Sequence, residues 1–112
     1  MILVQWSCKI PHANLAPFLK YVKEILKPFY ESHGSIRYEL FLPLKTNKQY
    51  FPYQISDNKN QYTEQLFFKD IKDFDNFYDS IEKDQAAQKV VGMYTKEFGI
   101  NNCEFKILIQ KG

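Results

Sequence analysis

Residues Ile2 to Lys9 alternate, with Ile2, Val4, Trp6 and Cys8 on one face and Leu3, Gln5, Ser7 and Lys9 on the other. A period of two predicts a half-buried strand, and Pro11 closes it. Leu15, Phe18, Leu19, Val22, Ile25, Leu26 and Phe29 then recur at spacings of three and four, which predicts an amphipathic helix. Asn14 is placed to cap its start, with Pro17 in the first turn, where a missing N–H costs little. Pro28 should kink or end this helix, because its ring meets the Glu24 carbonyl. His33-Gly34 reads as the stop, glycine supplying the left-handed residue and His33 facing the helix C-terminus.

A second strand is predicted over Ser35 to Leu42, with Ile36, Tyr38, Leu40 and Leu42 opposite Arg37, Glu39 and Phe41, and Pro43 ends it. Leu44 to Gln61 is polar apart from an aromatic island at Tyr50 to Ile55. The island could form a short edge strand, with Asp57 to Asn60 as its turn. A connection of this length is often functional when ordered. Tyr62 to Lys69 is the third strand. Asp70 and Asp73 start a helix with Ile71, Phe74, Phe77, Tyr78 and Ile81 on its apolar face. Asp84 caps a further helical segment that Gly99 stops, and Cys103 to Gln110 is the last strand.

Strand, helix, strand, strand, broken helix, strand is the order of the ferredoxin-like βαββαβ arrangement. The expectation is an α+β fold, one domain over residues 1–112, with a four-stranded antiparallel sheet and its helices on one face. Right-handed crossovers put the first and third strands in the centre. The helices should take the more apolar face, with Trp6, Tyr38, Leu40 and Leu42. The other face then carries Gln5, Ser7, Arg37, Glu39 and Phe41, with Leu3 and Leu108. That mixture is too apolar for free solvent and too polar for a sealed core. It suits packing on a second copy of the chain, with Arg37 and Glu39 paired near the interface; a merely solvated pair, worth under about 1 kcal/mol, is the plainer alternative.

Composition narrows the classes. With 15 basic and 13 acidic residues the net charge of +2 gives no footprint for nucleic acid or an anionic membrane. Apolar runs are too short for a transmembrane helix, and no signal-peptide core follows Met1, so a cytoplasmic protein is expected. Aromatic residues make up 17% of the chain, enough to line a pocket as well as fill a core.

Motifs for most chemistries are missing. The four glycines are isolated, so there is no phosphate loop, and no nucleophile elbow is present. Two histidines, His12 and His33, lack partners at ligand spacing, so neither a metal nor another cofactor is expected. Cys8 and Cys103 have no CxxC spacing or histidine partner, and two free thiols are expected, near one another if the first and last strands pair. Asp70, Asp73, Asp75 and Asp79 read as caps and a solvated face. His12, in the loop after the first strand, and Tyr38 are the candidate catalytic groups, against plain loop and core roles. Trp6, Phe68, Phe74 and Tyr78 are candidate ligand-binding rings between helix and sheet, against ordinary core packing. Tyr53, with Tyr50 and Phe51, could close over that pocket or dock a partner.

In element order, length and texture the chain resembles the dimeric α/β-barrel superfamily, which includes antibiotic-biosynthesis-monooxygenase-like, stress-responsive A/B-barrel and NIPSNAP-like proteins. The most family-like stretch is EQLFFKDIKDFDNFYDSIEKDQAAQ, residues 64–88, where a strand enters a helix through an acidic cap. The resemblance implies a homodimer in which two sheets close a barrel, each subunit keeping a pocket between helices and sheet. It further implies a small apolar or aromatic ligand and a cofactor-independent monooxygenase or isomerase. There the pocket desolvates a phenol or enol, Tyr38 or His12 assists proton removal, and the substrate anion reacts with oxygen. A non-enzymatic ligand-binding or protein-interaction module is the alternative. Haem-degrading relatives are expected to carry Asn, Trp and His where this chain has Gln5 or Trp6, Phe68 and Tyr78. No histidine follows residue 33, which disfavours that chemistry.

Overall fold

Alternation becomes sheet and the three-four spacing becomes helix in a computed structural model that describes residues 1–56 and 59–112. Strand β1 (Ile2–Lys9) leads through a 3-10 turn (His12–Asn14) to helix α1 (Leu15–Tyr21), a π-helical turn (Val22–Leu26) and helix α2 (Lys27–Ser32). Strands β2 (Arg37–Phe41) and β3 (Gln61–Phe68) follow. Then come α3 (Ile71–Glu82), α4 (Gln85–Gln88), a second π-helical turn (Lys89–Met93), α5 (Tyr94–Glu97) and β4 (Asn101–Ile109). The strands are antiparallel in the order β2-β3-β1-β4, so β1 and β3 are central, as right-handed crossovers require.

Register decides which side chains meet. Trp6 lies between Glu64 of β3 and Phe105 of β4, and Glu64 also faces Leu40 of β2. The helices cover the face that carries Val4, Cys8, Tyr38, Tyr62, Leu66 and Phe68, all buried with Phe18, Leu26, Phe74 and Phe77. Asp70 caps α3 by accepting from the Asp73 N–H at 2.9 Å, and Asp84 caps α4 by accepting from the Ala86 N–H at 2.9 Å. His33 closes α2, its ring Nδ1 2.8 Å from the Phe29 carbonyl.

The opposite sheet face is bare. Leu3, Phe67 and Leu108 form an apolar row there by register, and the Arg37 guanidinium stands 4.1 Å over the Phe67 ring. Arg37 and Glu39 pair at 2.6 Å in a largely exposed contact. Strand β4 is exposed along its whole length, including Phe105, Ile107 and Ile109 on the helix side.

Several expectations are corrected. Pro28 neither ends nor breaks the helix, which runs on to Ser32. The Lys27 N–H reaches back five residues to the Val22 carbonyl, and this wider turn absorbs the proline one residue later. Asn14 is no cap, because the helical path already starts at His12; its Nδ2 instead donates to the Phe98 carbonyl at 2.8 Å, tying α1 to the end of α5. The aromatic island makes only a Tyr50–Tyr53 bridge rather than a strand. Of its expected turn, Asp57 and Asn58 lie outside the described residues. Cys8 and Cys103 are joined in a disulfide instead of remaining free thiols, the β1–β4 pairing setting their Cα atoms 4.1 Å apart. The bond runs against the expected cytoplasmic location, where thiols normally stay reduced. Among the described residues no helix is long and apolar enough to cross a membrane.

Candidate functional site

Helices α3 to α5 cover β3 and β1 but stop short of β4, and this leaves a cleft. Its volume is about 290 Å³. Trp6, Tyr62, Cys8 and Cys103 floor it from the sheet, Phe105 forms the β4 lip, and Tyr30, Tyr78, Val91 and Tyr94 wall it from the helices. The surroundings are almost wholly apolar or aromatic, the character of small-molecule sites. The second wide helical turn serves this region. Val91 belongs to it, and the Tyr21 hydroxyl donates to the neighbouring Val90 carbonyl at 2.7 Å, holding that turn against α1.

Beneath the cleft is a carboxyl group with no ion pair. Glu64 occupies a core-facing position of β3 and is 0% exposed. Neither of its oxygens closes a hydrogen bond, and the hydroxyls of Tyr38 and Tyr62 are likewise buried and unsatisfied. Burial pushes the Glu64 pKa up to about 8, outweighing the nearby polar hydrogens of Tyr38, Trp6 and Tyr62, which favour the ionised form. The carboxyl therefore carries its proton at neutral pH. Burial first, and then the Glu64 charge, push the phenols of Tyr30, Tyr38, Tyr62 and Tyr94 well above their ordinary value. Buried polar groups are nearly always satisfied, so three orphans in one place mark a site. Among the described residues no cluster of metal-ligating side chains occurs.

No family model and no curated protein matches the sequence. Solved structures do match in three dimensions. A Deinococcus radiodurans protein of the antibiotic biosynthesis monooxygenase type aligns with a TM-score of 0.70, covering 100% of this chain and 94% of that one at 5% identity. The chain has the antibiotic biosynthesis monooxygenase fold. SnoaB, a cofactor-independent oxygenase from Streptomyces nogalater, shares this fold at a TM-score of 0.64 and 12% identity, covering 99% and 93% of the two chains. So does an uncharacterised NIPSNAP domain protein from Burkholderia xenovorans, at 0.63 and 11%, covering 99% and 95%. At such identities the shared property is the monooxygenase-type fold itself, and function must be argued from the site.

On this fold the candidate residues separate into four places. Trp6, Phe74 and Tyr78 line the cleft, while Phe68 lies buried behind it against Phe74 and Phe77, at ring distances of 5.3 and 5.2 Å. Tyr38 is also buried, its ring stacked on Tyr30 at 5.2 Å and its hydroxyl beside Glu64. His12 lies apart, in a trough of about 820 Å³ between the first turn and residues 42–47, 55–56 and 59–61. Its lining holds none of the orphaned polar atoms, so the smaller cleft is the better site despite its size. Tyr53 is out on the loop, 77% exposed. Sequence reasoning missed Glu64, Tyr62 and Tyr94. The signal was available for Glu64: it is a carboxylate in the Tyr62, Leu66, Phe68 row, where a period of two demands apolar side chains.

Proposed function

We propose that this protein binds a small, flat apolar or aromatic molecule in the helix–sheet cleft and acts on it without a cofactor, as a monooxygenase or isomerase. The observation that carries this reading is an aromatic cleft with a buried, unpaired carboxyl and phenol directly under its floor. Apolar walls desolvate the ligand, and Trp6 and Tyr30, edge-on at 6.1 Å, offer ring surfaces for stacking. A cofactor-independent oxygenase having the same fold agrees with this choice. The test is a titration of the single tryptophan's fluorescence with phenols, naphthols and quinones. Saturable quenching that weakens at least tenfold in Val91→Phe, which fills the cleft wall, supports the reading. An absence of saturable quenching across the set refutes it.

The active form in this reading is a homodimer closed through the bare sheet face bearing Gln5, Arg37, Glu39 and Phe41. Its support is the apolar row of that face, half-buried at Leu3 and Phe67 and exposed at Leu108, and the uncovered β4. An interface of this type buries on the order of 2,000 Å². Sedimentation at micromolar concentration should return twice the 13.4 kDa chain mass, and a monomer would refute the dimer. A second reading, a non-enzymatic module that docks another protein through its loop, draws on Phe51 and Tyr53, which are 97% and 77% exposed.

A further inference from the structure

We propose that the Cys8–Cys103 disulfide is a redox latch on the cleft: the oxidised protein holds a flat aromatic ligand, and reduction by a dithiol releases it. This rests on the cleft being a ligand site. Both cysteines stand in the cleft floor, and Phe105 of the lip follows Cys103 on the same face of β4. The bond that ties Cys103 down therefore also sets the lip.

Regular pairing of β1 with β4 fails at this point. Ser7 faces Glu104 and Lys9 faces Asn101, so Cys8 is skipped and the register shifts around it. Asn102, in the skipped stretch, has a left-handed φ of 51°, which side chains other than glycine rarely adopt. The bond thus clamps an irregular join rather than reinforcing a continuous ladder. Strand β4 lies at the sheet edge and is exposed along its whole length, whereas Cys8 is 1% exposed and packed into the core. Two thiols need more room than two bonded sulfurs, and the edge strand is the side that yields it. Reduction then carries Phe105 away from Trp6, its neighbour across the ladder, and the cleft loses a wall.

Exposed Cys103 is the sulfur open to attack. A thiolate of the reductant bonds to the Cys103 Sγ, the S–S bond breaks, and its electron pair leaves on the Cys8 Sγ, which takes up a proton. The second thiolate of the reductant displaces Cys103 from the mixed disulfide, and Cys103 is protonated in turn. The dithiol gives up two electrons and two protons and becomes a disulfide, and the protein gains them as two thiols. Ligand and oxidation state are linked by one factor: a ligand held more tightly by the oxidised form makes that form harder to reduce.

Calorimetric titration with 2-naphthol, of the oxidised protein and of the protein reduced with dithiothreitol, tests the latch. The oxidised protein should bind about tenfold more tightly or better. Glutathione disulfide should restore the affinity, and Cys103→Ser should bind weakly in either buffer. Saturating 2-naphthol should lower the midpoint potential of the bond by about 30 mV for each tenfold in affinity. On reduction, amide exchange should quicken over residues 101–105 while β3 stays protected. Equal affinity in the two states overturns the latch and leaves the ligand site standing. Loss of binding together with loss of the far-ultraviolet circular dichroism also overturns it, since reduction then unfolds the chain instead of moving one strand. If the oxidised protein does not bind 2-naphthol, the ligand site and the latch fall together.

Discussion

A carboxyl that is protonated when folded and ionised when unfolded ties stability to pH. The Glu64 pKa is about 8 in the folded protein against an ordinary 4.5. Below 4.5 both states hold the proton. Between 4.5 and 8 only the folded state does, so stability falls as pH rises through that window and levels off above it. The fall is on the order of 5 kcal/mol. Glu64→Gln should remove most of it, and urea unfolding at about pH 5 and about pH 9 measures the difference. Parallel losses in wild type and variant would show that Glu64 is not the titrating group. This residue was legible as an oddity in the alternation, since Tyr62, Leu66 and Phe68 share its row. What the pattern did not contain was its company. Tyr94 and Tyr30 come from separate helices, and their convergence on one strand position depends on how those helices pack.

At the scale of elements, local chemistry was readable wherever a cap or a stop acted within one turn. Asp70, Asp84, His33 and Gly99 all end or begin helices as their positions imply, Gly99 with a left-handed φ of 67°. The wide turns were not readable. A π turn adds one residue without taking Val22 or Leu26 off the apolar stripe, so the spacing of hydrophobic positions barely records it. Pro28 was the visible clue, and its reading as a break overlooked a helix that widens before it. Helix α4 has only four residues and hangs on its cap, the Asp84 carboxylate accepting from two N–H groups. Asp84→Ala should cost about 1 kcal/mol. Amide exchange should quicken over residues 85–94, beside the cleft, and stay slow in β1 and β3. Uniform quickening across the sheet would mean that α4 is not an independent unit.

The whole molecule was the most legible level, because the strand order follows from connectivity and handedness once six elements are recognised. Even the meeting of Cys8 with Cys103 follows from pairing the first strand with the last; only their oxidation state escaped the pattern, since thiol chemistry leaves no periodicity. The bond spans 95 residues, and reducing it should cost roughly 2–4 kcal/mol of stability. Its topological meaning is larger. The chain from residue 8 to residue 103 is a covalent ring. The protruding Phe51–Tyr53 tip lies on that ring, where a chymotrypsin-like protease has easy access. A cut there opens the ring without dividing the molecule. The singly nicked protein should gain only the mass of one water, keep its circular dichroism, run as one band on a denaturing gel, and separate into two fragments only after reduction. Two bands without reductant would mean that the ring was never closed.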